Sequence, residues 1–137
     1  MSSTHISATL RRKVQERAIG KCEYCFLSEE DAYFSHEPDH IIAEKHGGQT
    51  TLDNLAWSCF ECNRFKGSDI ASIDPINGDI VGLMNPRKQI WKDHMEFVGN
   101  TIRPVSACGR VTERLLKLNS PTRIEVRTLL QMLGRYP

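Results

Sequence analysis

The chain has 137 residues, 26% of them charged and 39% hydrophobic, with a formal net charge of +1. Those proportions suit one folded, water-exposed domain, and no stretch is apolar over the ~20 residues that a membrane-spanning helix needs. The N-terminal MSSTHISATLRRK lacks the apolar core of a secretory signal, which makes an intracellular, cytoplasmic location the expectation.

In chain order, residues 7–19 read as a helix. Ser7 caps it, Leu10, Val14 and Ala18 or Arg17 share one face, and Gly20 stands where a left-handed C-terminal residue belongs. KCEYC is a tight turn. YFSHEPDHIIA is rich in aromatic and β-branched residues and predicts a strand ending near Ile42. EKHGGQTT is a loop broken at Gly47-Gly48, LDNLAW leads onward, and CFECNRFKG predicts a short helix ending at Gly67. Asn77-Gly78 and, more weakly, Gly99-Asn100 are two-residue hairpin signals. Two helices close the chain. One spans about Gly109–Leu118, with Val111, Leu115 and Leu118 on one face; the other has Ser120 as cap and Pro121 in its first turn, and stops at Gly134. Trp57, Phe60 and Phe65 are expected as core near the cysteines, and Trp91 and Phe97 as core further on.

The charge is uneven. Residues 1–78 hold eight Lys/Arg against twelve Asp/Glu, whereas residues 79–137 hold ten against five. A basic C-terminal part suits contact with phosphate backbones, or is simply the solvated face of Arg-rich helices.

Four of the five cysteines form two Cys-x-x-Cys pairs, Cys22/Cys25 and Cys59/Cys62, and Cys108 is left over as an inert thiol. With no signal peptide and an odd count, thiolates on a metal are preferred to disulfides. Four thiolates complete a tetrahedron around Zn²⁺ and leave no open position, so this zinc is structural. The 33 residues between Cys25 and Cys59 exceed the spacing of a plain zinc ribbon, so something is housed between the pairs. Cys59, Cys62, Asn63 and Lys66 fall at i, i+3, i+4 and i+7, one stripe of a helix.

The ordered set CEYC, PDHIIAEKHGG, DNL and CFECNRFKG closely resembles the HNH endonucleases, over about residues 20–67. NPRKQIWKDHMEF and GRVTERLLKLN resemble an extension found in some bacterial members. The resemblance implies an α+β fold: a small ββα-metal core stapled by a four-cysteine zinc, with a C-terminal β-hairpin and helical extension. It implies a single domain over 1–137, with an N-terminal helix at 7–19, a core at about 20–67 and an extension at 68–137.

By the same resemblance, His40 is the general base that activates water. Asp39 and Asn63 hold a catalytic divalent ion, and Asn54 braces the hairpin loop so that His40 faces the substrate. Many members carry histidine at the position of Asn63. Asparagine removes a nitrogen ligand and favours oxygen-loving Mg²⁺ or Mn²⁺. Arg64 and Lys66 are expected on the DNA backbone, and His46 either touches the phosphate or faces solvent. His36 is expected to be structural or exposed. Adjacent strand residues point to opposite faces, so Asp39 and His40 can serve one site only at a strand end, a bulge or a strong twist.

The resulting expectation is a metal-dependent endonuclease acting on DNA. One such core offers one active site, so a double-strand break needs a homodimer, a protein partner or two events. The competing reading is a non-catalytic zinc module that binds nucleic acid or protein. It explains the cysteines but not the order of Asp39, His40, Asn54 and Asn63. A redox role for the Cys-x-x-Cys pairs lacks the βαβ pattern it requires.

Overall fold

In the computed structural model, which describes residues 5–137, the first helix (α1) spans Ala8–Arg17, and Ser7 caps it by accepting a hydrogen bond from the Leu10 amide. The first four residues of the stretch read above for a signal lie outside the described residues. The predicted stripe is the buried one: Val14 sits with Leu55 and Trp57 in an apolar cluster flanked by Leu10, Ala18, Ile6 and Leu52. The helix end differs by one residue. Ile19, not Gly20, is the first left-handed residue (φ +56°). Its amide bonds the Glu16 carbonyl and that of Gly20 bonds the Gln15 carbonyl, which makes a Schellman cap with a β-branched residue in the glycine position.

The chain divides into two compact units, Met1–Ile70 and Ala71–Pro137. In the first, β1 (Glu37–His40) pairs antiparallel with β2 (Leu55–Ser58), with Asp39 opposite Ala56 and His40 opposite Leu55. Helix α2 (Phe60–Lys66) follows at once. The observed strand is shorter than the predicted run from Tyr33. Glu37 faces Ser58, and the next residue, Cys59, already caps α2, so residues 33–36 have no strand to pair with. Phe60, expected in the core, is 39% exposed because it takes the first position of α2, on the outer side of the helix start. Trp57 is buried as expected, and Phe65 is half-buried.

The loop between the two strands closes on glycine. A Cβ on Gly48 would stand 1.7 Å from the Ile42 carbonyl oxygen, so only glycine fits there.

The second unit holds two further antiparallel hairpins, β3 (Ala71–Ile73) with β4 (Ile80–Gly82) and β5 (Met95–Val98) with β6 (Thr101–Pro104), then α3 (Ala107–Leu115) and α4 (Pro121–Met132). Gly99-Asn100 forms the two-residue turn expected of it, with Val98 opposite Thr101. Asn77-Gly78 does not. The Asp74 carboxylate accepts the Ile76 amide and the Asp74 amide bonds the Asp79 carbonyl, so Pro75 to Gly78 form a four-residue loop. Helix α3 starts two residues before the predicted Gly109 because Ser106 caps it through the Gly109 amide. It ends at Leu115, and Leu118 is buried beyond the left-handed Lys117.

Met84, Met95, Ile102, Val111, Leu116, Leu118 and Leu130 are the buried apolar side chains of this unit. Trp91 and Phe97 are half-buried, with ring centroids 5.0 Å apart. Arg127 is buried, donating to the carbonyls of Asn100 and Leu118, each at 2.7 Å. Asp74 and Arg110 form a bidentate pair at 2.9 and 2.7 Å. Helices and small antiparallel hairpins give the α+β class expected of the sequence. Among the described residues no helix is long and apolar enough to cross a membrane.

Candidate metal centre and active site

The four predicted cysteines converge. The Sγ atoms of Cys22, Cys25, Cys59 and Cys62 all lie within 4.8 Å of one another, and all four residues are buried. Cys25 and Cys59 are 3.7 Å apart at sulfur. A tetrahedron with Zn–S bonds of ~2.3 Å has edges of about 3.8 Å, so the cage has the size of a thiolate zinc site. Cys59 and Cys62 resist ionising alone. Hydrogen bonding to Cys22 raises Cys59, and burial raises Cys62. A bound dication reverses that preference by deprotonating coordinating thiols.

Local backbone structure explains how the pairs meet. The Cys22 amide bonds the Leu27 carbonyl and the Phe26 amide bonds the Cys22 carbonyl, folding the first pair into a tight turn. Glu23 docks this turn onto β2: its amide donates to the Trp57 carbonyl at 2.8 Å, and its carboxylate accepts the Trp57 amide at 2.7 Å. The second pair sits at the β2–α2 junction, where Cys59 Sγ also accepts the Cys62 amide.

Asn54 immediately precedes β2 and holds the loop by three side-chain bonds. Its Oδ1 accepts the Ile42 amide at 3.0 Å, and its Nδ2 donates to the carbonyls of Ile42 (2.9 Å) and Gln49 (2.8 Å). The loop so fixed presents Thr50, whose Oγ1 is 2.9 Å from His40 Nε2. The Glu44 carboxylate lies 3.8 Å from the same nitrogen. The Thr50 hydroxyl both donates and accepts, so it holds the ring in either tautomer, and in the tautomer with its proton on Nε2 the Nδ1 lone pair is free.

The Asp39 side chain turns the other way, as strand alternation requires. Tyr24 Oη donates to its Oδ2 at 2.9 Å, and Lys66 Nζ lies 3.1 Å from the same oxygen and donates to the His40 carbonyl at 3.0 Å. Burial pushes the Asp39 carboxyl above the usual range, against the pull of Lys66. Burial and then the Asp39 charge raise the Tyr24 phenol. Lys66 is only 2% exposed. In place of the DNA contact expected of it, its ammonium neutralises Asp39 from inside the unit.

Asp39, His40, Asn63 and Arg64 nevertheless line one cleft of about 870 Å³. Asn63 and Asp39 offer oxygen donors of the kind that suit a hard cation, and a carboxylate retains acceptor sites beyond those taken by Tyr24 and Lys66. Arg64 is exposed. His46 is exposed and its Nε2 is 3.1 Å from the Ser68 carbonyl oxygen. His36 is buried against the Leu27 carbonyl at 2.8 Å. Tyr24, Thr50 and Glu44 were not singled out from the sequence. Only Tyr24 carried a signal, an aromatic with a polar tip lodged between two metal-type cysteines.

Residues 22–69 match the family model described as HNH endonuclease, a little over a third of the chain. The cysteine cage falls within this segment and is consistent with an HNH core of the Cys-zinc type. The match begins and ends two residues later than the 20–67 expected from the motifs. No curated protein and no solved structure matches the chain.

Proposed function

We propose that this HNH segment hydrolyses DNA phosphodiester bonds, with His40 as general base. The observation that carries the reading is the setting of His40. Thr50 holds the ring through Nε2, which leaves Nδ1 clear of that bond, and the residue borders the cleft that Asp39, Asn63 and Arg64 also line. A water beside the phosphate gives its proton to Nδ1 as it attacks phosphorus. Asn54 acts one step back, holding the loop that presents Thr50. Asp39 and Asn63 would hold Mg²⁺ or Mn²⁺, which when bound offsets charge on the phosphate and on the departing 3′ oxygen. Arg64 adds a fixed positive charge for the DNA backbone. The cysteine-bound Zn²⁺ does no chemistry here; it fixes α2, which carries Asn63. One segment supplies one active site, so cutting both strands calls for a second copy, a protein partner or a second event.

The test is a plasmid cleavage assay with Mg²⁺, Mn²⁺ or EDTA, wild type beside His40→Ala. His40→Ala is expected to keep its zinc and its DNA binding and to lose about 10²–10⁴-fold in metal-dependent cutting. Undiminished cutting by this variant would refute the assignment.

A further inference from the structure

Two aromatic rings at this cleft, and a third in contact with one of them, have no place in the mechanism above. Tyr33 is 95% exposed, Phe34 51% and Phe60 39%. They touch in series, Tyr33 to Phe34 edge-on with centroids 4.9 Å apart and Phe34 to Phe60 at 4.5 Å. Phe34 and Phe60 line the same cleft as His40, Asn63 and Arg64. Phe60 directly follows Cys59, so the cysteine cage holds its backbone in place. Exposed rings in mutual contact beside a polar cleft offer a surface that a bound ligand can cover.

The charges around the rings narrow the occupant. Both carboxylates lining the cleft are answered: Glu37 by Arg11 at 2.6 Å, and Asp39 by Lys66. Arg64 makes no ion pair among the described residues and contacts the Phe65 ring, 5.9 Å from its centroid. A free guanidinium beside open ring faces suits an anion joined to a flat π-system. A nucleotide whose base has left its stack is such a group, because base faces pack on aromatic side chains while the phosphate meets the cation. In an intact duplex those faces are covered by neighbouring base pairs.

We propose that Tyr33, Phe34 and Phe60 form a base-stacking platform that makes this cleft select DNA with unpaired bases next to the phosphate it handles. This rests on the nuclease reading for the identity of the phosphate site, and it adds the substrate class. Single strands, flaps and gaps present such bases; a closed duplex does not.

The test uses the full chain, zinc-loaded and free of Mg²⁺ and Mn²⁺, with fluorescence anisotropy on a labelled 15-mer as single strand and as duplex. Wild type is expected to bind the single strand roughly tenfold or more tighter than the duplex. Tyr33→Ala combined with Phe34→Ala is expected to lose about tenfold or more on the single strand and nothing on the duplex. Phe34→Trp, which keeps a ring face, is expected to retain single-strand binding, and zinc content reports that each variant is folded. Equal wild-type affinity for the two forms, or equal loss on both in the double variant, overturns the platform. Adding Mg²⁺ or Mn²⁺ separates the two readings. Ring-dependent binding of single strands without any cutting removes the nuclease and leaves the platform. Cutting that ignores both substitutions and both DNA forms removes the platform and leaves the nuclease.

Discussion

The two compact units of this chain hold their folds by different means. Met1–Ile70 has a small apolar cluster around Val14, Leu55 and Trp57, and its other buried side chains include four cysteines and the charged pair Asp39–Lys66. Ala71–Pro137 buries methionine and branched aliphatic side chains, and among the described residues no metal-type cluster falls within it. Segments this short bury too little apolar surface to be robust on that basis alone. The first unit supplements its core with a metal cage, the second with a buried guanidinium and an ion pair. The candidate chemistry lies in the first, where strands and helix meet around polar groups rather than around a continuous apolar core.

The strongest way to break the comparison is to remove the metal. Cys59→Ser, or a strong chelator, is expected to unfold Met1–Ile70, since metal binding and folding are one equilibrium where the cage replaces a core. Amide signals of Val14, Leu55 and Trp57 should lose dispersion together with the zinc, while those of Met84, Met95 and Ile102 keep theirs. Full stability of the first unit without bound metal would contradict the structural role of the cage.

The second unit has its own weak point. Arg127→Met leaves the Asn100 and Leu118 carbonyls without their donor. Losing one buried and one part-buried hydrogen bond from a charged donor is expected to cost about 2–4 kcal/mol. Thermal unfolding followed in the second unit should shift down by about eight degrees or more, on the usual ~4–8 °C per kcal/mol for small domains, with zinc content unchanged.

What the sequence disclosed divides along the same line. Cysteine spacing and residue order are local facts, and they located the cage, α2 and the Asp39–His40 strand end. The stripe Cys59, Cys62, Asn63, Lys66 set Lys66 on the face of the metal-type cysteines, yet Lys66 was expected on the DNA backbone, because a lysine beside a phosphate site reads as a surface contact. The ion pair with Asp39 decides the matter, and it joins residues far apart in sequence. Thr50 and Glu44 were invisible for a related reason: they reach His40 only once Asn54 has closed the loop. Ser106 as a cap was overlooked because Gly109, two positions into α3, reads as a helix breaker. In the structure Gly109 is a packing residue, since a Cβ there would stand 1.9 Å from the His94 carbonyl oxygen.

Acid gives a finer comparison. Arg110 holds the Asp74 carboxyl down at about 2, below its ordinary 3.8, so the folded form binds this proton later than the unfolded form. The pair's contribution is therefore complete above the ordinary value and is lost as pH falls through about 4 toward 2. Wild type should lose second-unit stability across that window more steeply than Asp74→Asn, which has no carboxyl to titrate. Denaturant unfolding read on second-unit amide signals at pH 5, 4, 3 and 2 checks this, independently of acid release of the cysteine metal. Parallel slopes for the two proteins would show that Asp74 does not set the acid response.

The smallest expected effect concerns a device that both units share. Helices α1, α3 and α4 all end in the same left-handed cap, at Ile19 (φ +56°), Lys117 (φ +51°) and Gly134 (φ +69°). Glycine adopts that conformation freely, whereas other residues lose roughly 1–2 kcal/mol to the clash of Cβ with the backbone, and β-branching aggravates it. Ile19 is 82% exposed, so its side chain returns little by packing. Against the relief stands the larger freedom of glycine in the unfolded chain, about 0.5–1 kcal/mol. The balance predicts that Ile19→Gly stabilises the zinc-loaded first unit by up to about 1 kcal/mol, and that Lys117→Gly helps the second unit by less. Denaturant midpoints of the two variants measure both. A loss of stability in Ile19→Gly would mean that unfolded-state freedom outweighs the strain, and that the cap at the metal cage is as well made with isoleucine as with glycine.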